Sequence, residues 1–203
     1  MKIVLFDWNG TLLDDTPILY KSVKKVFRVF GKRPPTIAEY FRELEGDYLK
    51  IYRSRGITAS RDELNAIYEL HYKAYAQEAK LFFGVRMALT IFAARAVVMG
   101  IITNQKDFLV TPFLAKFGLN KFFRYQEFNT FDKKAAIQKI LAQENADPQE
   151  CCYFGDAPSD IRHGKKAGVK TAAFLSGYIP EDLLLKAKPD FTVRNFAGIL
   201  QVT

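Results

Sequence analysis

Residues 2–15 read Lys-Ile-Val-Leu-Phe-Asp-Trp-Asn-Gly-Thr-Leu-Leu-Asp-Asp. Ile3 to Phe6 make a short, unbroken apolar run that ends in the carboxylate of Asp7. A run this short and this apolar is the pattern of a strand buried on both faces, as in a parallel sheet. Asp7 then stands at the carboxyl end of that strand, the edge at which open α/β sheets bind ligands. Asn9-Gly10-Thr11 follows as a tight turn, in which Gly10 is free to take positive φ. A buried strand that delivers one carboxylate to a glycine turn is an arrangement for presenting a nucleophile or a metal ligand.

Downstream, Asp14 or Asp15 with Thr16-Pro17 marks a helix start, and the helix is expected to reach about Phe30. Gly31 to Pro35 makes a loop. Thr36 with Glu39, and Ser60 with Glu63, have the spacing of capping boxes for two further helices. The first of these is expected to break at Gly46 and resume to about Arg55, and the second to run to about Lys80. Residues 16–80 show no strand signal. After Phe83-Gly84 the pattern changes to helix 85–95, strand 96–103, helix 108–117, strand 124–128 and helix 133–143. Strand 151–155 then ends at Asp156, followed by helix 158–167, strand 170–175 and an edge strand at 190–193. Alternating strands and helices predict an α/β fold with a doubly wound parallel sheet, interrupted directly after its first strand by an all-helical insertion. The expected boundaries are residues 1–14 plus 83–203 for the α/β core and 15–82 for the helical unit.

Composition narrows the function classes. Hydrophobic residues are 49% of 203, enough for a large core and against global disorder. No apolar run reaches the roughly 18 residues of a membrane span. The opening run is too short for a signal peptide and ends in Asp7. The only two cysteines, Cys151 and Cys152, are adjacent and make no disulfide framework, so a reducing cytoplasm is the simplest location. The net charge of +8 is spread over the chain. Its densest patch, Lys21, Lys24, Lys25, Arg28, Lys32 and Arg33, complements an apolar stripe of Val23, Val26, Phe27 and Phe30. That pattern is a solvated helix face rather than a nucleic-acid interface. A positive potential also attracts phosphorylated small molecules.

Four stretches, in order, resemble the motifs of the haloacid dehalogenase-like (HAD) hydrolases. Asp7-Trp8-Asn9-Gly10-Thr11-Leu12 resembles the first motif, DxDGT. Thr103-Asn104, closing an apolar run, resembles the second. A lysine ahead of a helix is the third; Lys133 and Lys134 both qualify, and the spacing Lys-x-x-Ala-Ile favours Lys133. Gly155-Asp156-Ala-Pro-Ser-Asp160 matches the fourth, GDxxxD. The likeness covers nearly the whole chain and is similar to the phosphoglycolate phosphatase and β-phosphoglucomutase branch, whose Rossmann-type core bears a helical cap. It implies a Mg²⁺-dependent phosphohydrolase acting on a small phosphorylated metabolite through an aspartyl-phosphate on Asp7. It also implies that Gly10, Thr11, Thr103, Asn104 and Lys133 hold the phosphoryl group. The metal ligands would be Asp7, Asp156 and the backbone carbonyl of Asn9, with Asp160 assisting from behind or orienting Lys133.

Asn9 departs from the family pattern, where a second Asp serves as general acid and base. Asn has no titratable proton and can do neither. The alternatives are an activated substrate that needs no acid, a phosphonatase-like reaction with a cap lysine, or a catalytically impaired domain. Among other polar residues, His71 on an apolar helix face is expected to be packed, and His163 to lie on a helix surface. Cys151 and Cys152 read as structural. For Arg42, Tyr48, Arg53 and Arg55, helix-surface roles are favoured over reading the leaving group.

Overall fold

Ile3–Phe6 forms the first strand, β1, and all four of its residues are buried. The computed structural model describes residues 1–44 and 47–199 of the chain. After β1 come a two-residue strand, β2 (Leu13–Asp14), and the helices α1 (Thr16–Val29), α2 (Ile37–Glu43), α3 (Leu49–Arg53) and α4 (Arg61–Tyr75). Then follow β3 (Lys80–Leu81), α5 (Val85–Ala94), β4 (Val98–Ile102), α6 (Asp107–Lys116), β5 (Tyr125–Glu127) and α7 (Lys133–Glu144). The chain continues through β6 (Cys151–Gly155), α8 (Pro158–Ala167), β7 (Lys170–Phe174), α9 (Glu181–Leu184), β8 (Phe191–Val193) and α10 (Phe196–Ile199).

Six strands pair in the order β5-β4-β1-β6-β7-β8, every pair parallel. Successive side chains of β1 point to opposite faces. Val4 and Phe6 enter one cluster with Phe92 of α5, Val110 of α6 and Phe196 of α10. Ile3 and Leu5 enter another with Ile137 and Ile140 of α7. Helices therefore cover both faces of the sheet, which is why β1 has no polar alternation. The expected α/β class and doubly wound parallel sheet are what the chain adopts.

The helices between β2 and β3 assemble around apolar residues of their own, including Leu19, Val23, Phe27, Tyr52 and Leu64. Both capping boxes form. The Glu39 N–H donates to Thr36 Oγ1 at 3.2 Å and the Thr36 N–H to Glu39 Oε2 at 2.7 Å; Ser60 and Glu63 repeat the pair at 3.3 and 2.9 Å. The expected break at Gly46 lies outside the described residues. One expectation is corrected: residues 16–80 carry no strand signal, yet Lys80 and Leu81 pair antiparallel with Asp14 and Leu13. A two-residue ladder is too short to leave an alternating pattern. It forms because the chain leaves and re-enters the α/β part side by side. The short helices α9 and α10 were likewise not anticipated.

Leu5 is fully buried in the sheet centre. Leu5→Ala is expected to cost roughly 2–5 kcal/mol, read from the midpoint of denaturant unfolding.

Candidate active site

Strand register sets the site. Phe6 lies opposite Ile101 on β4 and Phe154 on β6. Asp7, Thr103 and Asp156 therefore leave their strands at the same carboxyl edge, and the Asp7 N–H donates to the Phe154 carbonyl at 2.8 Å. Lys133 is the first residue of α7, whose start Asp132 caps by accepting from the Ala135 N–H at 3.2 Å. Its ammonium donates to Asp7 Oδ1 at 2.8 Å and to Asp160 Oδ1 at 2.7 Å. Of the two candidate lysines, then, Lys133 enters this cluster, while Lys134 is half-buried beside it. Asp160 also accepts from the Tyr153 hydroxyl at 3.2 Å and, through Oδ2, from the Ala157 N–H at 3.1 Å.

Asp156 is gripped from two sides. Thr11 Oγ1 donates to its Oδ1 at 3.2 Å, and the Tyr178 N–H donates to its Oδ2 at 2.7 Å. Gly10, at φ +74°, packs so closely that a methyl there would overlap the Asp156 carboxylate. A methyl on Gly177 would overlap the Asp156 side chain and the Gly10 carbonyl. Glycine is what lets both loops close on this carboxylate.

Asp7, Asp156 and Asp160 are buried, and each can bring one carboxylate oxygen to within 4.8 Å of the others. Three carboxylates face a single ammonium. Burial pushes Asp7 up to about 6, although Lys133 pulls it back down. Burial, and then the charge of Asp7, hold Asp156 well above the usual carboxylate range. Burial also works against the charge on Lys133, but Asp160 and Asp7 outweigh it and keep the ammonium protonated. An all-oxygen donor set with surplus negative charge suits a hard divalent cation such as Mg²⁺. The residues present therefore fit the metal that the family resemblance implies.

Asp15, a candidate helix start by sequence, has a larger part in the structure. Its carboxylate is fully buried. Asp15 Oδ2 accepts from Asn9 Nδ2 at 2.8 Å and from the Tyr72 hydroxyl at 2.6 Å, and the Tyr178 hydroxyl donates to Oδ1. Asn9 Nδ2 is also 3.1 Å from the Tyr72 hydroxyl oxygen. Burial raises the Asp15 pKa against these hydrogen bonds. No local sequence signal could have found this, because two of the partners lie 57 and 163 residues away.

A cavity of about 450 Å³ opens over the cluster, a ligand-sized volume. Asp7, Asn9, Asn104, Lys133, Asp156 and Asp160 line its sheet end. Gly10, Thr11 and Thr103 do not line it. Gly10 and Thr11 stand behind Asp156, and the fully buried Thr103 accepts from the Gln105 N–H at 3.1 Å. His163, expected on the surface, is half-buried against the cavity, and burial lowers its pKa. The reason is that Ser159, Arg162 and His163 of α8 line the cavity. His71 is packed as expected, its ring 6.4 Å from Tyr75. Cys151 and Cys152 are free, buried thiols in β6, and burial pushes Cys151 up to about 12. Arg42 pairs with Asp182 at 3.2 Å and Arg55 with Glu43 at 2.7 Å, while Arg53 is exposed. Tyr48 departs from its expected surface role and lines the cavity.

The fold and this edge cluster agree with the family comparison. Residues 4–174 match the family model described as haloacid dehalogenase-like hydrolase, and the chain belongs to that family. A phosphoglycolate phosphatase of Pseudomonas putida is 30% identical over 192 residues, covering 87% of this chain and 70% of that protein. Phosphoglycolate phosphatase 1 of Pseudomonas aeruginosa is 27% identical, covering 98% of this chain and 78% of that protein. A haloacid dehalogenase-like family hydrolase from Streptococcus pneumoniae superposes with a TM-score of 0.84 at 21% identity, covering 100% of this chain and 98% of that one. Among the described residues, no helix is long and apolar enough to cross a membrane.

The raised acids set a pH dependence. A carboxyl whose folded pKa lies above its unfolded value adds stability that is complete below the unfolded pKa and is lost as pH rises through the folded one. For Asp7 that window runs from its ordinary 3.8 to about 6. In divalent-cation-free buffer the protein is therefore expected to unfold at a lower temperature at pH 7.5 than at pH 5. Asp7→Asn should flatten this profile by on the order of 2 kcal/mol, measured by thermal unfolding across pH.

Proposed function

We propose that the protein is a phosphatase acting on a small phosphorylated metabolite, with Asp7 as the nucleophile. The observation that supports this best is the meeting of Asp7, Lys133, Asp156 and Asp160 at one end of the sheet, under a ligand-sized cavity. Phosphatase is also the activity named for the two Pseudomonas relatives. In this reading residues 1–14 and 83–203 are the catalytic core, and residues 15–82 form the cap. The unpaired thiols of Cys151 and Cys152 suit a reducing compartment, the cytoplasm.

An oxygen of Asp7 bonds to phosphorus, and the bond from phosphorus to the leaving-group oxygen breaks, that oxygen keeping the electron pair. Water then attacks the aspartyl-phosphate, releasing inorganic phosphate and restoring Asp7. Lys133 holds Asp7 in place and offsets charge on the phosphoryl oxygens, while Asn104 at the cavity wall contributes polar contacts. Asp7, Asp156 and the Asn9 backbone carbonyl would hold Mg²⁺, with Asp160 steadying Lys133. When bound, the metal supplies Lewis-acid polarisation of the phosphoryl group. Gly10, Thr11 and Thr103 act by shaping and bracing the edge that presents these groups.

Asn9 cannot hand a proton to the departing oxygen, and its amide is tied to Asp15 at 2.8 Å. This favours a second reading within the same chemistry, in which the substrate has an acidic leaving group that departs unaided. A phosphonatase-like route is not favoured, because among the described residues no lysine between β2 and β3 lines the cavity.

Asp7→Asn is expected to abolish turnover while leaving the protein folded, and chelation of divalent cations should do the same reversibly. Asn9→Asp should raise kcat on alkyl phosphates by roughly 10²–10⁴. The gain should be larger when it is combined with Asp15→Asn, since two carboxylates at that separation repel. If neither variant turns over any phosphate ester, the domain binds phosphorylated ligands without hydrolysing them.

A further inference from the structure

The cavity has two unlike ends. The sheet end holds the carboxylates and Lys133. The opposite wall comes from α1 to α4 and the loops between them, and includes Tyr40, Leu44, Tyr48, Tyr52, Leu64 and Tyr68. Among the described residues it contains no lysine and no arginine.

Cations are plentiful in this segment, yet among the described residues none of them lines the cavity. Arg42 pairs with Asp182, Arg55 with Glu43, and Lys21 with Glu78. Arg61 lies against Asp47 and over the Tyr48 ring. Lys133 and Arg162 also line the cavity, but they come from α7 and α8 and not from this wall: Lys133 lies between Asp7 and Asp160, and Arg162 is an exposed residue of α8. A ligand with a carboxylate or a second phosphate at its far end would face rings and aliphatic groups there. Burying that charge without a partner is costly.

What the wall offers instead is ring faces and hydroxyls. Tyr48 donates to Asn65 Oδ1 at 2.7 Å. The hydroxyls of Tyr40, Tyr52 and Tyr68 have no hydrogen-bond partner among the described residues. Burial raises the pKa of all three, so they are neutral phenols. Such a surface takes an uncharged ring and offers hydrogen bonds at its rim.

Asn9 supplies an independent constraint. With no acid to protonate it, the leaving oxygen must depart as an anion, which a phenolic oxygen tolerates far better than an aliphatic one because its conjugate acid ionises near pH 10. We propose that the substrates are phosphate monoesters of uncharged, ring-bearing phenols or similarly acidic ring alcohols, whose ring lies against the tyrosine wall, rather than phosphoglycolate. This rests on the phosphatase reading for turnover, while the choice of ligand rests on the wall.

The test compares phenyl phosphate, cyclohexyl phosphate and phosphoglycolate in magnesium buffer. Acetyl phosphate, too small to need the wall, serves as a monitor of the reaction itself. Phenyl phosphate is expected to exceed both esters in kcat/KM by at least tenfold. Tyr48→Arg is expected to lower kcat/KM on phenyl phosphate and raise it on phosphoglycolate, with circular dichroism and thermal unfolding showing that the variant is folded. Leu44→Lys is a second variant, should the first fail to fold. Phosphoglycolate turned over as well as phenyl phosphate by the wild type would overturn the proposal. If nothing is turned over, acetyl phosphate included, calorimetry with phenylphosphonate and phosphonoacetate decides. Tighter binding of phenylphosphonate by tenfold or more would uphold this ligand class while the phosphatase reading falls, and equal or reversed affinities would overturn both.

Discussion

Three carboxylates and one ammonium share a space from which water is largely excluded, and that imbalance governs the rest of the molecule. Asp7, Asp156 and Asp160 are each within a few per cent of full burial, and among the described residues Lys133 is the cation that pairs with Asp7 and Asp160. Ionised groups in such surroundings stay charged only with partners, or else take up protons. The raised pKa values of Asp7 and Asp156 express the same deficit of positive charge. A divalent cation or a proton completes the balance. The three carboxylates could together hold a metal ion.

The supports of that cluster extend into the helical segment. Tyr178 uses its backbone N–H on Asp156 and its hydroxyl on Asp15, and its ring stacks on Phe41 of α2 with centroids 5.0 Å apart. Tyr72 of α4 reaches Asp15 from the other side. Asn9 joins the same carboxylate from the turn after β1. One buried acid thus ties the first turn, the helical segment and the loop after β7 together, close to where the chain crosses between its two parts. Any movement of the helices over the cavity must strain or break these bonds, which links cavity shape to the posture of Asp156.

Much of this was legible in the residues. The apolar run of β1, the alternation after Gly84, the two capping boxes and the spacing of Gly155-Asp156 to Asp160 are local patterns, and local patterns report on neighbours in the chain. The short β2–β3 ladder escaped because two residues make no period. The Asp15 knot escaped because two of its partners come from distant segments. His163 and Tyr48 were assigned to surfaces because a helical period says which side of a helix is polar, and not which other element faces it. Gly10 and Thr11 were grouped with phosphate contacts by motif, whereas their closest business is with Asp156.

The sequence by itself determined the α/β class, the alternation of the main strands and helices after Gly84 and the absence of a titratable side chain at Asn9, since each follows from residue type and short-range spacing. Tertiary structure alone decided that Lys133 rather than Lys134 meets Asp7, that Asp15 anchors Asn9, and that the wall facing the carboxylates is tyrosine-rich and free of cations among the described residues. Those outcomes depend on which side chains from remote segments converge. Convergence is fixed by strand register and helix packing, which no single stretch of chain specifies.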